Sequence, residues 1–235
     1  MADTIVSLKN VEFAWTDQDR VLDIAHFEVQ TAERVFLRGP SGSGKSTLLG
    51  LIAGVLSPQA GEINVLGQDM ASLSGYKRDQ LRADHLGVIF QMFNLVPYLS
   101  VKQNVALSCR FSRRRREQVE TAGGLDHEAE RLLGRLGLDQ PDLLNRSVGQ
   151  LSVGQQQRVA AARALIGQPA LIIADEPTSA LDTDRRDQFI DLLSEEAQAT
   201  GAALLFVSHD ASLADLFDRS VDLQSVNKAN LETAQ

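Results

Sequence analysis

Nine consecutive residues, Gly39, Pro40, Ser41, Gly42, Ser43, Gly44, Lys45, Ser46 and Thr47, combine three glycines, four hydroxyls and one lysine ahead of an apolar helical pattern. The spacing of Gly39, Gly44, Lys45 and Ser46 fits G-x-x-x-x-G-K-[ST]. Glycines let successive backbone N–H groups converge on phosphate oxygens. The start of a helix adds the positive end of its dipole. Lys45 is then placed to reach β- and γ-phosphates, the Ser46 hydroxyl to ligate Mg²⁺, and Thr47 to add a phosphate contact. Such a loop marks a nucleotide binder without saying which kind.

A second group lies far along the chain. "ALIIADEPT" (170–178) is an apolar strand pattern ending in Asp175 and Glu176. In open parallel sheets, ligands sit beyond the carboxyl ends of the strands. Asp175 therefore lands near the metal and Glu176 near the γ-phosphate. Hydrolysis requires a group that positions the attacking water, and Glu176 is the candidate. A third group, Ser152, Gly154 and Gln155 in "LSVGQQQRVAAARAL", opens another apolar-periodic helix. Its N–H groups and hydroxyl again suit an anion. Two anion cradles in one chain imply two copies meeting across a dimer.

The elements that must hold these groups can be read from hydropathy. "RVFLR" (34–38) is a buried strand before the glycine-rich loop, and 46–54 is the helix after it. Short alternating stretches before residue 66 read as a β-rich opening. "LGVIF" (86–90) is a strand, and about 92–150 turns helical. A helix at about 154–166, the Asp-Glu strand, a helix at about 183–199, the strand "ALLFVSHD" and a last helix follow. Strands alternating with helices indicate a parallel α/β core. The expected layout is one domain over 1–225, with a helical subdomain inserted at about 92–150. A polar tail at 226–235 is expected to fray.

Composition narrows the class. The chain has 235 residues, enough for one full core, and a formal net charge of −8 that argues against broad nucleic-acid binding. No stretch is long and apolar enough to cross a bilayer, and the start lacks a signal-peptide layout. One cysteine, Cys109, forms no internal disulfide, which fits a reducing cytoplasm. The run "RFSRRRRE" (110–117) reads as a solvated helix face or a mobile loop. A sharper alternative is contact of Arg113–Arg116 with anionic lipid headgroups. His26, His85 and His127 have no ligand-like spacing.

Over about residues 4–220 the sequence resembles the ATP-binding subunits of ABC transporters, with motifs in that family's order. The resemblance implies a P-loop NTPase core with a parallel sheet, an N-terminal antiparallel β subdomain and an inserted α-helical subdomain. It implies ATP and Mg²⁺ as ligands. Gly39–Thr47 matches the Walker A loop, and Trp15 the aromatic position that stacks on adenine. Gln91 matches the Q-loop glutamine, which touches Mg²⁺ and the water site. Leu151–Gln155 matches the signature, Asp175 and Glu176 the Walker B pair, "SALD" (179–182) the D-loop with Asp182 at the subunit interface, and His209 the switch histidine. Val153 stands where the signature usually has glycine. A β-branched residue resists positive φ, so a requirement for it there would impair the signature. Ser152 and Gly154 are intact, and activity is expected to survive.

The stretches around Gln91 and Ser152 look most like the lipoprotein-releasing, macrolide-exporting and cell-division subgroup. That likeness implies an integral membrane permease with an extracytoplasmic domain, a second copy of the chain, and a place at the cytoplasmic face of the inner membrane. "MFNLVPYLS" (92–100) offers either a groove for the permease or packing between subdomains. Other classes are a soluble ATPase acting on nucleic acid or ribosomes, and an ATPase that signals across the membrane without moving cargo. No specific nucleic acid is expected.

Overall fold

The computed structural model describes residues 3–16, 20–179, 181 and 183–229. In chain order the strands and helices begin β1 (Thr4–Ala14), β2 (Arg20–Gln30), β3 (Arg34–Arg38), α1 (Lys45–Ile52), β4 (Ala60–Val65), β5 (Gln68–Asp69), α2 (Gly75–His85) and β6 (Leu86–Ile89). They continue α3 (Val101–Phe111), α4 (Arg113–Thr121), α5 (Leu125–Arg135), α6 (Pro141–Leu144), α7 (Val153–Leu165) and β7 (Leu171–Asp175). Last come α8 (Thr183–Thr200), β8 (Ala203–Ser208), β9 (Arg219–Asp222) and α9 (Leu223–Val226). The chain divides into two units, Met1–Arg82 with Ala203–Gln235, and Ala83–Ala202.

The first unit holds two kinds of sheet. β1 pairs antiparallel with both β2 and β4, with Leu8 opposite Phe27 on one side and Ile63 on the other. All three side chains are buried. β3 runs parallel to β8 and to β9. β8 is buried along its whole length, as a parallel strand covered on both faces must be. Phe36, Phe206 and Phe217 stack beside these strands, with ring centroids 5.1–6.3 Å apart.

After β8 the sequence pattern predicts a helix, but the chain makes a 3₁₀ turn at Ala211–Leu216 and then β9. Ten residues, 209–218, join β8 to β9, which leaves room for a short 3₁₀ turn and little more. The stretch expected to fray from 226 is instead tied down at its start. Asn227, 1% exposed, accepts from the Asp23 amide at 2.8 Å and donates to the Val21 carbonyl at 2.9 Å.

The second unit carries the parallel pair β6–β7, with Ile89 opposite Ala174. Helices α3 to α6 all fall within 92–150. α3 starts on a capping box between Ser100 and Gln103 and packs against α7; its Val101, Val105 and Cys109 are buried.

The arginine run is not a loose loop, and it is a solvated face only in part. Ser112 caps α4 by accepting from the Arg115 amide. Arg115, 1% exposed, turns inward and donates to the carbonyls of Ala164 (3.2 Å), Ile166 (2.7 Å) and Leu86 (2.6 Å). Gly167 makes room for it: at φ +71°, any Cβ there would lie 2.5 Å from the Arg115 Cβ. Arg114 donates to the carbonyls of Asp84 and Gln168, and Arg116 to those of Cys109 and Arg110. Arg113 and Arg116 are both exposed, Arg113 paired with Glu117. Arg115, and in part Arg114, thus serve as clasps within the second unit, while Arg113 and Arg116 form the exposed side of the run.

Candidate phosphate-binding and hydrolysis residues

In the first unit, Arg38 and Ser208 are register partners on parallel strands. Gly39 and His209 therefore leave the same edge, the carboxyl edge of β3 and β8. The glycine-rich loop closes into α1 through Gly44, whose φ of 96° is left-handed. A side chain there would also strike Leu22, its Cβ lying 2.8 Å from Cδ2. The loop folds around its own lysine: Lys45 Nζ donates to the Gly39 carbonyl at 2.6 Å and the Pro40 carbonyl at 2.9 Å. The Ser43 Oγ is buried and has no hydrogen-bond partner among the described residues. The first amides of α1 have no partner within the helix, as at any helix start. An ammonium, a helix start and an orphaned buried hydroxyl at one turn make a fitting receptor for phosphate oxygens. Pro40, Ser41, Gly42 and Ser46 lie in the open or partly open part of this loop, whereas Thr47 is buried. Trp15, just past β1, is 63% exposed and stands edge-on to Phe13 at 5.1 Å, so one face of its indole is open to stacking.

In the second unit, Ile89 opposite Ala174 sends Gln91 and the Asp175–Glu176 pair off one strand edge. Glu176 is buried and holds φ 46°, which the sequence does not foretell. A left-handed non-glycine residue costs about 1–2 kcal/mol and persists where its surroundings fix it. Gln91 itself is exposed. Beyond it, Phe93 and Asn94 adopt φ 59° and 48°. Their carbonyls accept from Arg163 of α7, each at 2.6 Å. Arg163 is a residue the motif reading misses. Its only sequence signal is an arginine inside the apolar stretch "VAAARAL".

α7 opens on a capping box: Ser152 Oγ accepts from the Gln155 amide at 3.3 Å, and Gln155 Oε1 from the Ser152 amide at 3.0 Å. The cap fixes the serine hydroxyl with its own proton still to give. Val153 is the first residue of α7, is right-handed and is 53% exposed. The signature therefore requires no positive φ at this position. Gly154 and Ser152 border a cleft of about 490 Å³ floored by Leu136, Leu181 and Phe189 and edged by Arg158. Of the candidates, Asp182 lies outside the described residues. Among the described residues there is no cluster of three metal-type side chains, and no helix is long and apolar enough to cross a membrane.

Residues 22–179 match the ABC transporter family. The chain is 38% identical over 226 residues to the lipoprotein-releasing system ATP-binding protein LolD of Hydrogenovibrio crunogenus, covering 95% of each chain. Among solved structures it is similar to the dimeric ABC transporter cassette MJ0796, at TM-score 0.81 and 32% identity over 92% of this chain and 93% of that one. The post-hydrolysis state of the same cassette, a dimer bound to ADP and Pi, matches at TM-score 0.81 and 31% identity over 95% of each chain.

Proposed function

We propose, since this chain belongs to the ABC transporter family and is one of its ATP-binding, ATP-hydrolysing subunits, that it drives a separate membrane permease by closing and opening an ATP-dependent homodimer. The observation that carries this reading is the pair of anion-accepting helix starts in one chain, at Gly44 and at Ser152. A single copy needs only the first to bind nucleotide. The second is explained if it caps the γ-phosphate held by another copy. The loss of that phosphate then removes the charge that both cradles hold, and the dimer parts.

Within this scheme the residues divide the work. Trp15 stacks on adenine. The amides of Gly42 to Thr47 and the Lys45 ammonium hold the β- and γ-phosphates, with Pro40, Ser41 and Ser43 shaping the turn. Ser46, Gln91 and Asp175 hold Mg²⁺, which supplies neutralising charge to the phosphates when bound. Glu176 orients and polarises the attacking water, and His209 contacts the γ-phosphate. Ser152, Gly154 and Gln155 close over the nucleotide of the other copy, with Asp182 at the junction. The domain reading is an ATPase domain over 1–225 with a helical insertion at about 92–150.

The exposed apolar side chains Phe90, Met92 and Tyr98 next to Gln91 give the permease a helix-in-groove docking surface. The likeness to a lipoprotein-releasing ATP-binding protein supports export or extraction as the work done, and the permease in this scheme carries an extracytoplasmic domain. In this scheme the chain sits at the cytoplasmic face of the inner membrane, held through the permease.

Glu176→Gln tests the scheme. The expected protein binds ATP, loses at least about 100-fold in kcat, and elutes as a dimer with ATP and a monomer without it. Wild-type turnover would refute the role of Glu176. A monomer at saturating ATP would refute the two-copy scheme. Affinity purification from detergent-solubilised membranes then reads the partner: a co-purifying integral membrane protein is expected, and ribosomal proteins in its place would overturn the permease reading.

A further inference from the structure

The turn that follows Gln91 is held in a conformation it would not choose. Phe93 and Asn94 are consecutive, non-glycine and both left-handed, at φ 59° and 48°. Local bonds close the turn, from the Phe93 amide to the Phe90 carbonyl (2.9 Å) and from the Asn94 amide to the Met92 carbonyl (2.6 Å). Closing the turn points both outer carbonyls toward α7. There Arg163, 9% exposed, meets them with two guanidinium nitrogens, one for each carbonyl, at 2.6 Å. Burial pulls the pKa of Arg163 down from its ordinary value. A buried cation spent on two neutral carbonyls costs desolvation, so its place is explained by what it fixes.

The surroundings make the clamp rigid. The Arg163 carbonyl accepts from Ser108 Oγ of α3 at 2.9 Å. Downstream, the fully buried Asn104 of α3 accepts from the Val96 amide and donates to the carbonyls of Val96, Leu99 and Ser100. At the other end of β6, Arg115 holds the Leu86 carbonyl. The strand that delivers Gln91 is thus gripped before and after by buried guanidiniums, and one of them rides on α7, the helix that Ser152 caps.

We propose that Arg163 is a positioning residue for ATP hydrolysis: by bridging the Phe93 and Asn94 carbonyls it sets the backbone from which Gln91 reaches the reaction centre. This rests on the role given to Gln91 above. The bridge needs a planar fork with two donors. Lysine keeps the charge and most of the stem but gathers its donors on one freely rotating nitrogen in place of a fixed planar fork, so Arg163→Lys separates the fork from the charge.

The test measures steady-state ATPase of the full chain with Gln91→Ala, Arg163→Lys and the double variant, together with amide exchange over 91–96. Arg163→Lys is expected to lower kcat about tenfold with KM for ATP within about twofold of wild type. In the Gln91→Ala background the same change should lower kcat less than about twofold, because two residues acting through one group are not additive. Amides of 91–96 should exchange faster in Arg163→Lys while the thermal midpoint stays within a few degrees. Full multiplication of the two effects, unchanged kcat in Arg163→Lys, or unchanged exchange overturns the proposal for Arg163 alone. Wild-type kcat in Gln91→Ala removes the role of Gln91 and this proposal with it. Arg163→Met extends the series: it lacks the fork and the charge, and activity equal to that of Arg163→Lys is expected if the fork is what matters.

Discussion

At the scale of single residues, Val153 shows how a departure from a motif should be weighed. Its type warns of strain only if the backbone is left-handed there. It is right-handed, the first residue of a helix, with its side chain toward solvent. Val153→Gly is therefore expected to change kcat by less than about threefold. The helix start should weaken by about 0.5–1 kcal/mol, read from urea unfolding. Glu176 is the converse: its type and place after an apolar strand are legible, but its φ of 46° is not. Residue type and spacing reveal which groups Lys45, Asp175 and Ser152 bring. They do not reveal the torsion that aims them, because that is set by neighbours distant in sequence.

Among the elements, α4 carries the main revision. Four arginines in succession look like a solvated face. Yet successive helical residues are 100° apart, so four of them sweep about 300° of the circumference. One must point inward on any helix packed on one side. That geometry was available in the sequence. The carbonyls that receive Arg115, on Leu86, Ala164 and Ile166, were not, because they come from β6 and the end of α7. Desolvation lowers the pKa of Arg115 to about 10, which leaves it charged at neutral pH. Arg115→Met is expected to cost about 2–4 kcal/mol, since three buried carbonyls lose their donor. Arg113→Ser should cost less than about 0.5 kcal/mol. Equal effects of the two in urea unfolding would return the run to the surface. Cys109 of α3 belongs to the same packing. Burial pushes its thiol up to about 11, so maleimide should label it only in denaturant.

On the scale of the whole chain, the α/β class and the order of elements were legible because long apolar strands alternate with patterned helices. β9 was not, since "RSVD" is four residues with one buried apolar side chain. It is fixed by charge at its entry. Arg34 donates to Asp218 at 2.6 Å, and Arg219 to Glu33 at 2.7 Å. The hydrogen bond from Arg34 holds the Asp218 carboxyl below its ordinary range. A folded-state value below the unfolded one means the contribution is present above about pH 4 and fades as pH falls through the folded value. Because the pair is partly exposed, it contributes at most about 1 kcal/mol. Asp218→Asn should thus lower stability at pH 7 slightly and flatten its fall below pH 4. An unaltered acid limb would show that this carboxyl does not carry it.

The lysine resting on its own loop has a last consequence. Lys45 donates to the Gly39 and Pro40 carbonyls of its own loop. Those two bonds brace the turn from within. Whatever the incoming phosphates offer, the lysine surrenders those two bonds to accept it. Affinity is the difference between the two sets of bonds, smaller than either. For a machine that must discharge its spent fuel every cycle, a grip so discounted favours throughput over tenacity.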